Sequence, residues 1–238
     1  MLEDNQSLFS LHFKQTLGTR NMYRSFLLTQ ALNQMLPISA SKPNPNSSTT
    51  PFTKAPTNLT QELYPEATKE GEDKYAWYKK SKYGNSDDKM KMYTTLMTAY
   101  GISAGIDYKF GGTVANTLNA HRVIQHFQES CGPEVADKIV NSLYRQYFEE
   151  ERHPATEETL MRACREAGVQ ETEAKMVVGD EDEGLLDVRG LIREQAGNGI
   201  DSVPFFVFEG RRRDVSLQGA QEVEDYEKAL RQIVKESG

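Results

Sequence analysis

The stretch Gly199-Ile200-Asp201-Ser202-Val203-Pro204-Phe205-Phe206-Val207-Phe208 decides the fold. Before it, apolar residues recur at helical spacing; from Val203 they run almost continuously to Phe208, as in a buried strand. Pro204 cannot donate a ladder hydrogen bond, so it stands at the strand's first position or in a special turn. The X–Pro bond is also the one peptide bond where cis is cheap. Two forms therefore stay open: a trans proline that opens the strand, or a cis Val203-Pro204 bond that turns the Val203 backbone outward. In the second form the Val203 N–H and C=O could pair with an extended peptide or with glutathione. Glu209-Gly210-Arg211 then reads as a turn and Asp214 to Leu217 as a second strand, a hairpin whose Arg211-Arg212-Arg213 cluster is a solvated, edge-protecting group of charges. A terminal amphipathic helix follows, with Val223, Tyr226, Leu230, Ile233 and Val234 on one face.

Upstream, the chain from residue 70 is mainly helical. Tyr93, Leu96, Met97 and Tyr100 recur at three and four, with Ser86 as N-cap and Gly101 as stop. Ile106 to Gly112 reads as a short extended piece, after which Asn116 caps a helix carrying Leu118, Val123, Ile124 and Phe127. Gly132-Pro133 separates that helix from one with the stripe Val135, Ile139, Val140, Leu143, Tyr144, Tyr147 and Phe148. Thr156 opens a further helix that closes at Gly168, and two more cover about Glu171 to Val178 and Leu185 to Ala196. At the other end, Leu8 to Phe13 reads as one short strand, Tyr23 to Leu36 as a weak helix, and residues 37 to 60, rich in Ser, Thr, Pro and Asn, as disordered.

The 238 residues suit one domain with an insertion, and a net charge of −7 argues against nucleic acid as a partner, since that affinity comes from Lys and Arg on phosphates. No stretch approaches the roughly 20 apolar residues that span a bilayer, and MLEDNQSLFS lacks the order of a signal peptide, so the expected setting is cytoplasmic with no membrane partner. The only cysteines, Cys131 and Cys164, form neither a C-x-x-C pair nor a zinc spacing. No metal is expected. Cys164 follows Leu160 by one turn on an apolar face, as an inert buried thiol does; Cys131 sits at a helix end, where the dipole disfavours a thiolate.

Residues 199 to 236 resemble the C-terminal half of the DsbA-like thioredoxin-fold family in its FrnE-type branch, through Val203-Pro204-Phe205-Phe206 and through Gly219-Ala220-Gln221 at the start of the last helix. The block Asn116-Thr117-Leu118-Asn119-Ala120-His121-Arg122 is similar to the NT-x-x-AHR signature of that branch, in its helical insertion. The resemblance implies an α/β, thioredoxin-like fold with a helical insertion domain, a cis Pro204, and substrate binding by Val203, Pro204, Asn116, His121 and Gln221. The expected layout is a remnant strand over 1–14, an atypical segment over 15–61, the insertion over 62–198 and the C-terminal part of the thioredoxin-like domain over 199–238.

Complete members carry a strand and then C-x-x-C at a helix N-terminus, where the thiolate is stabilised. This chain has no such pair, so no catalytic residue is assigned. Leu8 to Lys14 resembles the family's second strand, which implies that the first strand and its cysteine helix are missing from the N-terminus, by truncation or degeneration, and that the sheet is incomplete there. The implied family activity is thiol-disulfide exchange on a thiol- or disulfide-containing peptide or small molecule, with this chain inactive and without a cofactor. Two alternatives remain: an enzyme like the kappa-class glutathione transferases and 2-hydroxychromene-2-carboxylate isomerases, which would bind glutathione, and a non-catalytic peptide-binding module.

Overall fold

The structure is a computed structural model that describes residues 13–16, 57–59, 66–200, 205–209, 212–219, 221 and 223–237. Its strands are β1 (Phe13–Thr16), β2 (Thr57–Leu59), β3 (Glu72–Asp73), β4 (Thr113–Val114), β5 (Phe205–Phe208) and β6 (Val215–Gln218). Its helices are α1 (Lys74–Tyr83), α2 (Asp87–Ala104), α3 (Leu118–Ser130), α4 (Pro133–Phe148), α5 (Glu157–Ala167), α6 (Glu171–Gly179), α7 (Leu185–Gly197) and α8 (Val223–Ser237). The chain divides into two compact units, residues 60–199 and the two flanking parts together.

The flanking parts build a four-stranded sheet in the order β2-β1-β5-β6. β1 is parallel to β2, with Gln15 beside Asn58, and antiparallel to β5, with Lys14 beside Val207. β5 and β6 form the expected hairpin, Phe206 opposite Leu217 and Phe208 opposite Val215. Those four residues share one face, and α8 covers it: Phe206, Phe208, Tyr226, Ala229 and Ile233 are buried together, with Leu230 at their edge. The Phe206 and Tyr226 rings meet edge to face at 5.1 Å. Burying each phenylalanine contributes roughly 1.5–3 kcal/mol.

This pairing corrects the reading of the N-terminal strand. Residues 8–12 lie outside the described residues, but Phe13–Thr16 is paired on both sides rather than left without a neighbour. A thioredoxin-like sheet places its first strand inside, and β1 holds that place, while Thr57–Leu59, expected to be disordered, takes the neighbouring parallel position. A four-residue segment carries no sign of which partner it will find; the ladder decides. The Tyr23 to Leu36 helix and the rest of 37–60 lie outside the described residues.

Residues 60–199 form the helical unit. α4 packs between α3 and α5, α6 packs on α5, and α7 packs on α3. Val123, Phe127, Ile139, Leu160, Ala163, Cys164 and Val188 fill the interior. Three expected helix starts are present, the Ser86 side chain accepting from Lys89 N–H, Thr156 from Thr159 N–H, and Pro133 opening α4, whereas the N-cap of α3 is Thr117, without a side-chain hydrogen bond, rather than Asn116. Gly101 does not stop its helix, which runs on to Ala104 and ends at the left-handed Gly105. A methyl group at Gly101 would lie 2.5 Å from the Ile106 carbonyl oxygen and 2.6 Å from the Tyr108 ring, so glycine there admits a close approach. Residues 106–112, expected to be extended, form no strand, and the short β4 follows them. α1 is absent from the sequence reading because it has no apolar stripe: its buried residues are Lys74 and Tyr78.

Lys74 ties three segments together. Its ammonium donates to the Tyr147 carbonyl at 3.0 Å and the Lys109 carbonyl at 3.2 Å, and stands 4.4 Å from the centre of the Tyr147 ring. Burial lowers its pKa to about 8. Between α4 and α5, Glu166 accepts from Ser142, Arg145 and Arg162, and Arg162 also donates to Glu150. Partial burial works to raise the Glu166 pKa, but these hydrogen bonds outweigh it and hold the carboxyl down to about 2.

Two glycines make opposite predictions. Gly112 has φ +86°, and a methyl group on it would lie 2.5 Å from the Glu151 carbonyl oxygen, whereas Gly190, inside α7, has open space around it. Gly112→Ala is expected to lower the urea midpoint by the equivalent of about 1–3 kcal/mol. Gly190→Ala is expected to raise it by up to about 1 kcal/mol.

Candidate functional site

The NT-x-x-AHR block lies at the start of α3, and most of its polar side chains are already engaged. Asn116 accepts the Leu118 N–H on its Oδ1 at 2.9 Å, and its backbone N–H donates to the Thr68 carbonyl, which fixes the entry to the helix. Asn119 accepts from Arg122 Nε at 2.8 Å. Arg122 is fully buried and also donates through Nη1 to the Glu183 carbonyl; its Nη2 has no partner among the described residues. The acidic run Asp180 to Glu183 offsets part of the desolvation that lowers the Arg122 pKa.

His121, like Thr117, has a side chain without a hydrogen bond among the described residues. It is half-buried at the edge of the apolar face formed by Ala120, Ile124 and Phe127, and its ring makes no hydrogen bond among the described residues. Burial lowers its pKa to about 4, so the imidazole is neutral at pH 7, able to donate at one nitrogen and accept at the other. Tyr144 on α4, read from sequence as one of an apolar stripe, has a buried hydroxyl without a hydrogen-bond partner among the described residues, and burial pushes its pKa up. A stripe at helical spacing marks Tyr144 as inward-facing but says nothing of where its hydroxyl ends, so the sequence carried no signal for it.

Of the other expected site residues, Val203 and Pro204 lie outside the described residues. Gln221, in the unit that holds the sheet, precedes α8; its backbone N–H donates to the Tyr226 hydroxyl at 3.2 Å and its side chain to the Gln218 carbonyl at 2.7 Å. Its side-chain amide therefore closes the turn into the last helix. The structure thus brings Asn116 and His121 together on one helix start, with Asn116 committed to a local turn.

The thiols give no redox pair. Cys164 is fully buried on α5, and burial pushes its thiol up to about 12, which keeps it protonated and unreactive. Cys131 is exposed at the C-terminal end of α3, and both are free. Among the described residues no group of three or more His, Cys, Asp or Glu side chains is placed to hold a metal ion. Nor is any described helix long and apolar enough to cross a membrane.

These environments set two expected outcomes. At pH 8 in native buffer, Ellman's reagent should modify one thiol per chain rapidly, and a second only after denaturation; Cys131→Ser should abolish the rapid one. Because the native His121 pKa lies below its unfolded value of about 6.5, the unfolded chain takes up the extra proton. Stability should therefore fall as pH drops from about 6.5 to about 4, and His121→Gln should remove that part of the decline in thermal scans.

Known proteins share this architecture. Residues 11–231 match the model of the DSBA-like thioredoxin domain, a span that includes β1, the helical unit, the hairpin and most of α8. Among solved structures, a protein from Streptomyces coelicolor described as a probable DsbA oxidoreductase superposes with a TM-score of 0.74 at 22% identity, covering 96% of this chain and 92% of its own. A protein from Nitrosomonas europaea described as a protein disulfide isomerase superposes with a TM-score of 0.63 at 13% identity, covering 97% of this chain and all of its own. Both identities are low enough that the likeness speaks for the fold alone. No curated protein matches the chain. The extent of the family match, across both units, shows that the chain belongs to the family of DSBA-like thioredoxin domains.

Proposed function

We propose that this chain binds thiol- or disulfide-bearing polypeptide without exchanging disulfides itself. The observation that carries the reading is the placement of its two cysteines. Thiol-disulfide exchange needs an attacking thiolate and a second thiol close enough to resolve the mixed disulfide. Here one thiol is buried and held protonated near pKa 12, the other is exposed at a helix C-terminus, and both belong to residues 60–199 rather than to the sheet. The residues that follow the inner strand β1 are Leu17-Gly18-Thr19-Arg20, with no cysteine among them. The FrnE-type branch accounts for the Val203-Pro204-Phe205-Phe206 and Asn116 to Arg122 blocks together, and in a cytoplasmic setting both thiols would stay reduced.

The family resemblance implies binding of an extended chain at Val203-Pro204, and His121, in the helical unit, carries a neutral imidazole able to hydrogen-bond. Peptide binding should therefore be independent of redox state. In an insulin-reduction assay with dithiothreitol the chain is expected to give no acceleration over reductant alone. Titration with a blocked serine-for-cysteine peptide should give the same affinity with and without reductant, and Pro204→Ala should weaken it several-fold. Robust insulin reduction that Cys131→Ser or Cys164→Ser abolishes would overturn the proposal. Thermal stabilisation by reduced glutathione, with none by peptide, would move the assignment to the glutathione-transferase branch.

A further inference from the structure

Trp77, the chain's single tryptophan, begins a series of aromatic rings in the helical unit that the candidate site does not use. Its ring meets Tyr78 edge to face with centres 5.2 Å apart. Tyr78 lies nearly parallel to Tyr93 at 6.0 Å, and Tyr93 meets Tyr83 at 5.1 Å. Tyr78 is buried, and Trp77, Tyr83 and Tyr93 are half-buried around it. Inward, the series continues only through phenylalanine. Phe110 stands 6.2 Å from Tyr93 and 6.5 Å from Tyr108, and Phe148 stands 5.7 Å from Tyr108 and 4.6 Å from Tyr147. Rings at these separations are in near contact, close enough for an electron to tunnel from one to the next. Indole and phenol give up a single electron far more readily than the benzene ring of phenylalanine, so the outer and inner parts of the series differ in kind.

We propose that Trp77, Tyr78, Tyr93 and Tyr83 form a relay for one-electron oxidising equivalents, which moves the electron vacancy left by a radical oxidant at Trp77 to Tyr83 in the last turn of α1. The oxidant takes one electron from Trp77, and the indole N–H proton goes to water. The indolyl radical then regains an electron from Tyr78 and a proton from water. Tyr78 is restored in the same way from Tyr93, and Tyr93 from Tyr83, whose hydroxyl proton passes to water. The balance is one electron gained by the oxidant, and one electron and one proton lost by Tyr83. Two cations give the relay its direction. The Lys82 ammonium stands 5.4 Å from the centre of the Trp77 ring, and a cation beside a ring opposes the loss of an electron from it, so the vacancy is driven off the indole. Inward, Phe110 does not hold a vacancy. Beyond it, the Lys74 ammonium lies 4.4 Å from the centre of the Tyr147 ring and 5.7 Å from that of Phe148, which shields both. Tyr144, 6.4 Å from Phe148, has a hydroxyl with no acceptor among the described residues, so its proton has nowhere to go and its oxidation is opposed as well.

Pulse radiolysis of the full chain in azide solution tests this, with the azidyl radical as the oxidant. The indolyl absorption should decay as the phenoxyl absorption grows, at a rate that does not change with protein concentration. Tyr78→Phe, which keeps the ring and removes its readily lost electron, should slow that decay several-fold with unchanged circular dichroism. Tyr108→Phe, on the far side of Phe110, should leave it as it is. Peptide mapping of the unsubstituted chain after oxidation should find the modified tyrosine at Tyr83 rather than at Tyr108 or Tyr147, and Trp77→Phe should lower the yield at Tyr83 several-fold. A decay rate proportional to protein concentration, a decay indifferent to Tyr78→Phe, or oxidation that collects at Tyr108 or Tyr147 would each overturn the proposal. The mapping decides the matter even where a variant fails to fold.

Discussion

The sheet depends on β1 having hydrogen-bonding neighbours on both sides. A buried strand must place its N–H and C=O groups on both edges, because an unpaired backbone group away from water costs about as much as a lost hydrogen bond. Phe13–Thr16 meets this demand with a parallel ladder to Thr57–Leu59 and an antiparallel one to Phe205–Phe208. Strands 189 or more positions apart in sequence are thereby held together, and only then can Phe206 and Phe208 form the surface that α8 covers.

The helical unit is organised around buried polar groups as much as around its apolar interior. Lys74 holds the carbonyls that end α4 and those of the segment before β4, Gln146 donates to Ser142 and to the Thr159 carbonyl, and Arg122 joins α3 to the loop before α7. Apolar burial would be satisfied by several ways of stacking these helices. Buried donors are not, since each must find an acceptor at hydrogen-bonding distance, and a failure costs roughly 1–3 kcal/mol. The Arg122 Nη2 and Tyr144 hydroxyl, which find none among the described residues, are the exceptions.

For function, the environment of a thiol matters more than the number of thiols. Cys164 sits in apolar surroundings that hold its proton, and Cys131 sits exposed at the C-terminal end of a helix. Membership of the family therefore does not by itself settle activity.

The local sequence determined what local physics controls. Helix starts at Ser86, Thr156 and Pro133, the amphipathic α4 and α8, the β5–β6 hairpin and the lack of a cysteine pair are all legible in residue order, because caps, periodicity and composition act over a few residues. Tertiary structure decided the rest. Which strand Phe13–Thr16 would be, that Thr57–Leu59 would be a strand at all, that α2 would run through Gly101, and that α1 would form on little more than Lys74 and Tyr78 depend on partners distant in sequence. So do the environments within the Asn116 to Arg122 block: burial keeps His121 neutral, while a local turn claims the Asn116 side chain. Hydrogen bonds and burial are settled by what lies across the fold, and one chain read in order does not contain that neighbourhood.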